Sequence, residues 1–245
     1  IAGRVAPMVA SYFLSMHNNG MGVLIGGSTG VLPSKVLIIG SGTVAKNAAK
    51  IASGMGADVL VMGRNFNSMT ALADELPANI STIYSSAYNI KKILPTVDIV
   101  IGAVYVTGEK APHLITRDML SLCKKGTVLV DVAIDQGGCI ETSRPTTHDD
   151  PVFEIDGVIH YCVANIPGDY PGTATQALTN STISYVKKIA DYGWKSACLE
   201  DSAIYSGVNV AGGFVTEQAV AKAHQIEYHA IKDIIDKCKN FGENV

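Results

Sequence analysis

Apolar residues gather along this chain in short blocks whose length and period separate strands from helices. The runs at 36–39, 58–62, 80–84, 97–101, 127–132 and 158–163 are brief and mostly rich in Val and Ile, as in strands buried on both faces. Helical segments fall between them at 43–54, 68–76, 89–94 and 116–123, with Gly54 and Gly56 ending the first. Asn67 reads as the cap of the second helix and Pro77 as its stop. Six strands spaced by helices predict an α/β fold: a doubly wound parallel sheet with right-handed crossovers over residues 34–168.

The two ends of the chain keep a different rhythm. Val5, Met8, Val9, Tyr12 and Phe13 recur at helical spacing, so residues 1–33 read as a linking helix followed by an entry hairpin or loop. That helix opens without a Ser, Thr or Asp cap and without an initiator Met, the pattern expected of a piece of a longer polypeptide. The polar loop from Asp135 to Glu154 is long for a strand connection, as ligand-contacting loops often are. Beyond Pro167 and Pro171 the pattern is helical only: Ala174, Ala177, Leu178, Ser181, Tyr185, Ile189 and Tyr192 mark one face. Further helices are predicted at 194–200, 217–224 and 230–239, with a turn at Gly212-Gly213. Residues 169–245 are too few for an independent domain and are expected to pack on helix 1–14, forming part of a second, incomplete lobe.

The first strand runs into Gly40-Ser41-Gly42-Thr43-Val44-Ala45, the Gly-x-Gly-x-x-Ala form of the Rossmann dinucleotide-binding fingerprint. Gly40 permits a sharp turn, Gly42 lets backbone approach a pyrophosphate, and Ala45 lets helix pack closely on strand. The helix N-terminus then faces the anion. A bare glycine turn of this form is weak evidence; set between two apolar strands and opening a helix, it predicts nucleotide binding. An NAD site ordinarily places an acidic residue about twenty positions further on, against the ribose hydroxyls. Here the second strand delivers Gly63-Arg64-Asn65. Either Arg64 receives a 2′-phosphate, which favours NADP, or Arg64 faces solvent and Asn65 serves the ribose.

Composition narrows the choice of partners. A net charge of −3 gives no general basic field for nucleic acid. Cys123, Cys139, Cys162, Cys198 and Cys238 are scattered with no Cys-x-x-Cys pair, so free thiols in a cytoplasmic protein are expected. His148-Asp149-Asp150 has ligating residue types without a converging third or fourth group, and no metal is predicted. Residues 5–34 carry no Lys, Arg, Asp or Glu, yet His17-Asn18-Asn19-Gly20 divides them, so neither a membrane span nor a secretory signal is predicted.

The segment VDVAIDQGGCIETSRPTTH at 130–148 closely resembles the hallmark segment of alanine dehydrogenases, which share a fold with pyridine nucleotide transhydrogenase α-subunits. IGAVYVTGEKAPHLIT (101–116), HYCVANIPG (160–168), ALTN (177–180), the opening IAGR and GGSTGV (26–31) resemble the same family, from Ile1 to about Tyr228. The Asp-Gln-Gly-Gly-Cys loop is the feature that resembles the dehydrogenases rather than the transhydrogenases. The resemblance implies reversible oxidation of L-alanine to pyruvate and ammonia, with NAD as cofactor and NADP admitted by Gly63-Arg64. It implies that Asp135 stands beside nicotinamide and substrate and takes part in catalysis. Asn165, with Val163 and Ile166, matches the segment lining the nicotinamide; Ser85, Val104, Leu114 and Val132 match positions lining the cofactor cleft. Gly63 stands where the family usually has its ribose-binding aspartate, and Ser68 where some members have a lysine. The family's substrate-binding arginine and catalytic lysine and histidine precede the opening helix, so their part must come in cis or on a separate chain. A homo-oligomer, often a hexamer, is also implied.

Three other readings compete. A non-catalytic dinucleotide-binding fragment would bind weakly and turn nothing over. A transhydrogenase-like nucleotide domain is opposed by the Asp135 loop. Tyr88 and Lys92 have the Tyr-x-x-x-Lys spacing of short-chain dehydrogenases but fall too early in the strand order.

Overall fold

The computed structural model describes residues 1–75, 77, 79–104 and 112–238 of the 245. The ends of two predicted helices, at 76 and 239, and part of the resembling segment, at 105–111, lie outside the described residues. The chain divides into two compact units, residues 1–171 and 172–245.

The first unit opens with α1 (Ala2–Phe13), followed by β1 (Lys35–Ile39), α2 (Thr43–Gly54), β2 (Asp58–Gly63), α3 (Phe66–Glu75) and β3 (Ile80–Tyr84). It continues through α4 (Ala87–Ile93), β4 (Ile99–Gly102), β5 (Val128–Asp131), β6 (Val152–Ile155) and β7 (Val158–Tyr161). The seven strands form one sheet in the order β3-β2-β1-β4-β5-β7-β6. All neighbours are parallel except β6 and β7. This is the doubly wound α/β sheet that the alternation of strands and helices predicts, with one extra strand.

Burial on both faces explains the unbroken apolar runs. Val36 and Ile38 belong to the core on one side of the sheet, Leu37 and Ile39 to the core on the other, and all four are essentially inaccessible. Each such side chain contributes about 1.5–3 kcal/mol relative to an exposed one. On the first side, α1 and α2 meet through small residues: Ala6 and Ala10 from one, Ala45, Ala48, Ala49 and Ala52 from the other. A β-carbon on Gly3 would lie 2.3 Å from the Val44 carbonyl oxygen, so glycine is what permits this approach. The opening helix therefore braces the helix that follows the glycine turn.

Several local features depart from the sequence pattern. The turn predicted to be a helix at 116–123 is a 3-10 turn, Arg117–Leu122. Helix α3 starts one residue before Asn67, and its cap is Asn65, whose Oδ1 accepts the Ser68 N–H at 2.9 Å. Inside the long polar loop, β6 pairs antiparallel with β7; the Phe153 ring stacks on the buried His160 ring at 4.9 Å, and the Arg144 guanidinium lies 4.2 Å from the centre of the Phe153 ring.

The second unit contains α5 (Pro171–Glu200), α6 (Ser202–Ser206), β8 (Val210–Ala211), β9 (Phe214–Val215), α7 (Gln218–His224) and α8 (Ile231–Cys238). It is not purely helical: β8 and β9 form a short antiparallel hairpin whose turn is Gly212-Gly213. Gly193, at φ 74°, breaks α5 where the sequence separates two helical segments. The unit has a small core of its own, in which Ala197, Cys198, Ile204, Ile231 and Ile235 meet.

Candidate functional site

The chain reverses its direction of travel across the sheet between β1 and β4, and ligands in such sheets bind outside the strand ends at that point. A cavity of about 590 Å³ lies there. The glycine turn and the start of α2 form its base, from Gly40 to Val44. Met62, Gly63, Arg64 and Asn65 after β2, with Ser85 after β3, form one wall; Ala103, Val104, Pro112 and Leu114 form the other.

Each glycine of the turn has a separate geometric reason. Gly40 has φ 135°, and a β-carbon on it would lie 2.3 Å from the Ala103 carbonyl oxygen. It is pinned by its N–H, which donates to the Met62 carbonyl at 2.7 Å. Gly42 is the opposite case, since a β-carbon there would meet nothing within 4 Å and would project into open space. Gly42 is also the N-cap of α2, with no capping side chain, and the first turn holds no acidic residue. The leading N–H groups of α2 therefore lack partners within the helix and carry its positive dipole end. Such an end, open to a cavity and approached by bare glycine backbone, suits the diphosphate of a dinucleotide.

The wall after β2 has donors where an acceptor would be expected. Gly63 is buried, and a β-carbon on it would lie 2.8 Å from the Ser41 β-carbon and 2.9 Å from Met69 Cγ. No carboxylate lines the cavity among the described residues, and Arg64 is its one charged side chain. Asn65 uses its Oδ1 on the α3 cap, which leaves its NH2 group for other partners. The exposed guanidinium, this amide and the Ser41 hydroxyl thus offer hydrogen bonds that suit an anion.

Asp135 lies at the same sheet edge, in the loop after β5, the strand next to β4. It is exposed on a 3-10 turn, Ile134–Gln136, and is not one of the residues lining the cavity. Its loop joins the cavity wall through the Cys139 carbonyl, which accepts the Leu114 N–H at 2.8 Å. Gly137 and Gly138, at φ 89° and 76°, return the loop through conformations that favour glycine. Asn165 also adopts the left-handed region, at φ 54°, and its carbonyl oxygen lies 3.2 Å from His148 Nε2.

The predicted site residues therefore divide by position. Gly40, Ser41, Gly42, Thr43, Val44, Gly63, Arg64, Asn65, Ser85, Val104 and Leu114 line one cavity. Ala45 lies beneath it, fully buried in the contact of α2 with α1 and the sheet. Ser68 serves the α3 cap, Val132 packs half-buried against the core, and Val163 and Ile166 are core residues. Met62, Ala103 and Pro112 also line the cavity and were not predicted; Met62 and Ala103 flank predicted positions at strand ends, which is the signal that could have found them. His160 is a core residue, with Nδ1 3.0 Å from the Val158 carbonyl oxygen and Nε2 2.8 Å from Thr142 Oγ1. Burial holds its imidazole below the usual value of 6.5.

Residues 6–218 match the family described as alanine dehydrogenase/PNT, C-terminal domain. The chain belongs to this family. Within the alanine dehydrogenase/PNT family, an alanine dehydrogenase from Mycolicibacterium smegmatis is 49% identical over 222 residues, covering 91% of this chain and 60% of its own length. One from Halomonas elongata is 47% identical over 228 residues, covering 93% and 62%. A solved L-alanine dehydrogenase superposes with a TM-score of 0.85 at 42% identity, covering 91% of this chain and 62% of that one. A transhydrogenase from Sinorhizobium meliloti, at 22% identity and a TM-score of 0.72, shares the fold. The chain thus spans about three-fifths of the length of these relatives.

Proposed function

We propose that this chain is the NAD(P)-binding part of an alanine dehydrogenase, which oxidises L-alanine reversibly to pyruvate and ammonia by hydride transfer. The observation that carries this reading is the cavity at the carboxyl edge, where bare glycine backbone and the uncapped start of α2 meet. The nicotinamide, when bound, supplies the hydride acceptor. In this assignment the amides of Thr43, Val44 and Ala45 hold the diphosphate, with Gly40 and Gly42 giving it room. Gly63, Arg64, Asn65 and Ser68 surround the adenine ribose. Ser85, Val104, Leu114 and Val132 border the cleft, and Asn165 faces the nicotinamide, with Val163 and Ile166 fixing its segment from the core.

Asp135 receives the catalytic role. An exposed carboxylate on an ordered loop can accept a hydrogen bond from the substrate amino group and offset positive charge as its carbon is oxidised. Residues 34–168 are assigned to the nucleotide domain, 1–33 to the link, and 169–245 to helices of the substrate lobe. The whole enzyme needs a further, N-terminal part, in cis or as a separate chain, and is assigned as a cytoplasmic homo-oligomer, hexameric as in the resembled family. Cys123, Cys139, Cys162 and Cys198, all free thiols, support the cytoplasm.

Calorimetric titration of the chain with NAD and NADP tests the assignment. Binding is expected with Kd in a range of roughly micromolar to millimolar, with no turnover of alanine by the chain alone. Absence of binding by both nucleotides overturns it. Arg64, with no carboxylate among the described lining residues, supports NADP as the tighter ligand, with NAD the alternative.

A further inference from the structure

We infer that Asp131 is the positioning residue of this site: its carboxylate ties the neck of the 133–140 loop and so holds Asp135 in place. The inference rests on the assignment of Asp135 to the nicotinamide edge.

Asp131 ends the apolar strand Val-Leu-Val-Asp of β5 and is 0% exposed. A carboxylate so buried is tolerable only when several donors surround it. Asp131 has them on both limbs of one loop. On the leaving limb, Ala133 N–H donates to Oδ1 at 3.1 Å. On the returning limb, Cys139 N–H and Ile140 N–H donate to Oδ2 at 3.0 and 3.1 Å. The Cys139 thiol lies 3.5 Å from Oδ1. An ionised carboxyl group is an acceptor only, and every group that meets it here is a donor.

The surroundings are shaped for this contact. A β-carbon on Gly138 would lie 2.7 Å from Asp131 Oδ2, and one on Gly102 would lie 2.3 Å from Cys139 Sγ. Both positions must be bare for the loop to close on the carboxylate. Burial and the neighbouring Asp131 push the Cys139 thiol well above its usual range, so it stays a donor. Gln136, at the tip beside Asp135, gives no comparable hold: its Oε1 is buried without a partner. One side chain therefore grips the two strands of the neck, and Asp135 sits between the gripped ends.

Asp131→Asn keeps the shape but turns one acceptor into a donor that faces backbone N–H groups. Amide hydrogen exchange on the full chain reads the neck directly. In the variant, Ala133, Cys139 and Ile140 are expected to exchange at least about tenfold faster, while β1 and β4 keep their protection. Fluorescence of NADH and NADPH bound to the same proteins reads the ring's surroundings. Kd is expected to stay within about threefold of wild type, because the glycine turn is untouched. The emission change on binding is expected to be altered in Asp131→Asn as it is in Asp135→Asn. Unchanged exchange at the neck overturns the inference. So does a loosened neck with wild-type emission when Asp135→Asn alters that emission, because Asp135 then holds its place without the clamp. Emission left unaltered by Asp135→Asn overturns the placement of Asp135 beside the ring, and the inference with it. Gly138→Ala disturbs the same contact while keeping the carboxylate, and it is expected to give the same pattern if Asp131→Asn does not fold.

Discussion

Gly63 ends β2 directly against Ser41: a β-carbon added at residue 63 would lie 2.8 Å from the Ser41 β-carbon and 2.9 Å from its hydroxyl oxygen. The side chain of the glycine turn occupies the volume that a side chain at residue 63 would need. A carboxylate at this strand end, the usual partner of ribose hydroxyls in an NAD site, is therefore crowded out by its neighbour.

Gly63→Asp alone is accordingly expected to lose stability, by about 1–3 kcal/mol in a denaturant titration, without gaining NAD affinity. Combining it with Ser41→Gly, which removes one of the two crowding side chains while Met69 Cγ stays 2.9 Å away, is expected to recover part of that loss and to make NAD the tighter ligand by calorimetry. A single substitution that gained NAD preference at full stability would contradict the crowding argument.

Among the described residues, Arg64 is the one charged side chain that lines the cavity. Arg64→Ala is expected to weaken NADP binding about tenfold, the scale of a charge-assisted hydrogen bond to phosphate, and to change NAD binding less than about twofold. Because the guanidinium is exposed, the NADP effect should shrink as salt rises. An NADP preference that survives the substitution refutes the phosphate role.

The two glycines of the turn are expected to fail differently. Gly40→Ala places a methyl against the Ala103 carbonyl oxygen at a φ of 135°, and a stability loss of about 3 kcal/mol or more is expected in thermal or denaturant unfolding. Gly42→Ala meets nothing in the protein and should keep wild-type stability within about 1 kcal/mol. Its methyl instead projects where the diphosphate is assigned, so nucleotide affinity should fall about tenfold or more. Equal affinities for wild type and Gly42→Ala would place the diphosphate elsewhere.

His160 supplies a pH dependence with a definite sign. Burial lowers its imidazole below the usual 6.5, outweighing the support of the Val158 carbonyl and the Asp131 charge. The unfolded chain then binds the proton more readily as pH falls. Stability from this residue is full above about pH 6.5 and is lost through the window below it, toward the lowered folded value. Melting temperatures followed from about pH 7.5 down to 5 should fall more steeply in wild type than in His160→Gln. Equal slopes would show that His160 titrates alike in both states.

The reach of the sequence is clearest where cause and effect are neighbours in the chain. The run at 36–39 declares a strand buried on both faces because all its side chains are apolar, and Gly40 declares a turn because its backbone conformation and close neighbour suit only glycine. Gly193 breaks α5 between two helical segments, and Gly212-Gly213 turns a hairpin, both at places marked in the pattern. β6 was hidden because Phe153 becomes a strand residue by stacking on His160 and pairing with β7, contacts that periodicity does not encode. The α3 cap fell to Asn65 rather than Asn67 because the helix begins where β2 releases the chain.

The amino-acid order by itself determined the alternation of strands and helices, and with it a parallel sheet whose first turn opens onto an anion-sized gap. These follow from burial and backbone sterics acting over a few residues. Only the tertiary structure decided that Ser41 fills the space beside Gly63, that Met62, Ala103 and Pro112 complete the cavity, and that Asp131 is buried under the loop bearing Asp135. Those relations join residues far apart in the chain, and they exist because close packing lets each side chain take only the volume its distant neighbours leave free.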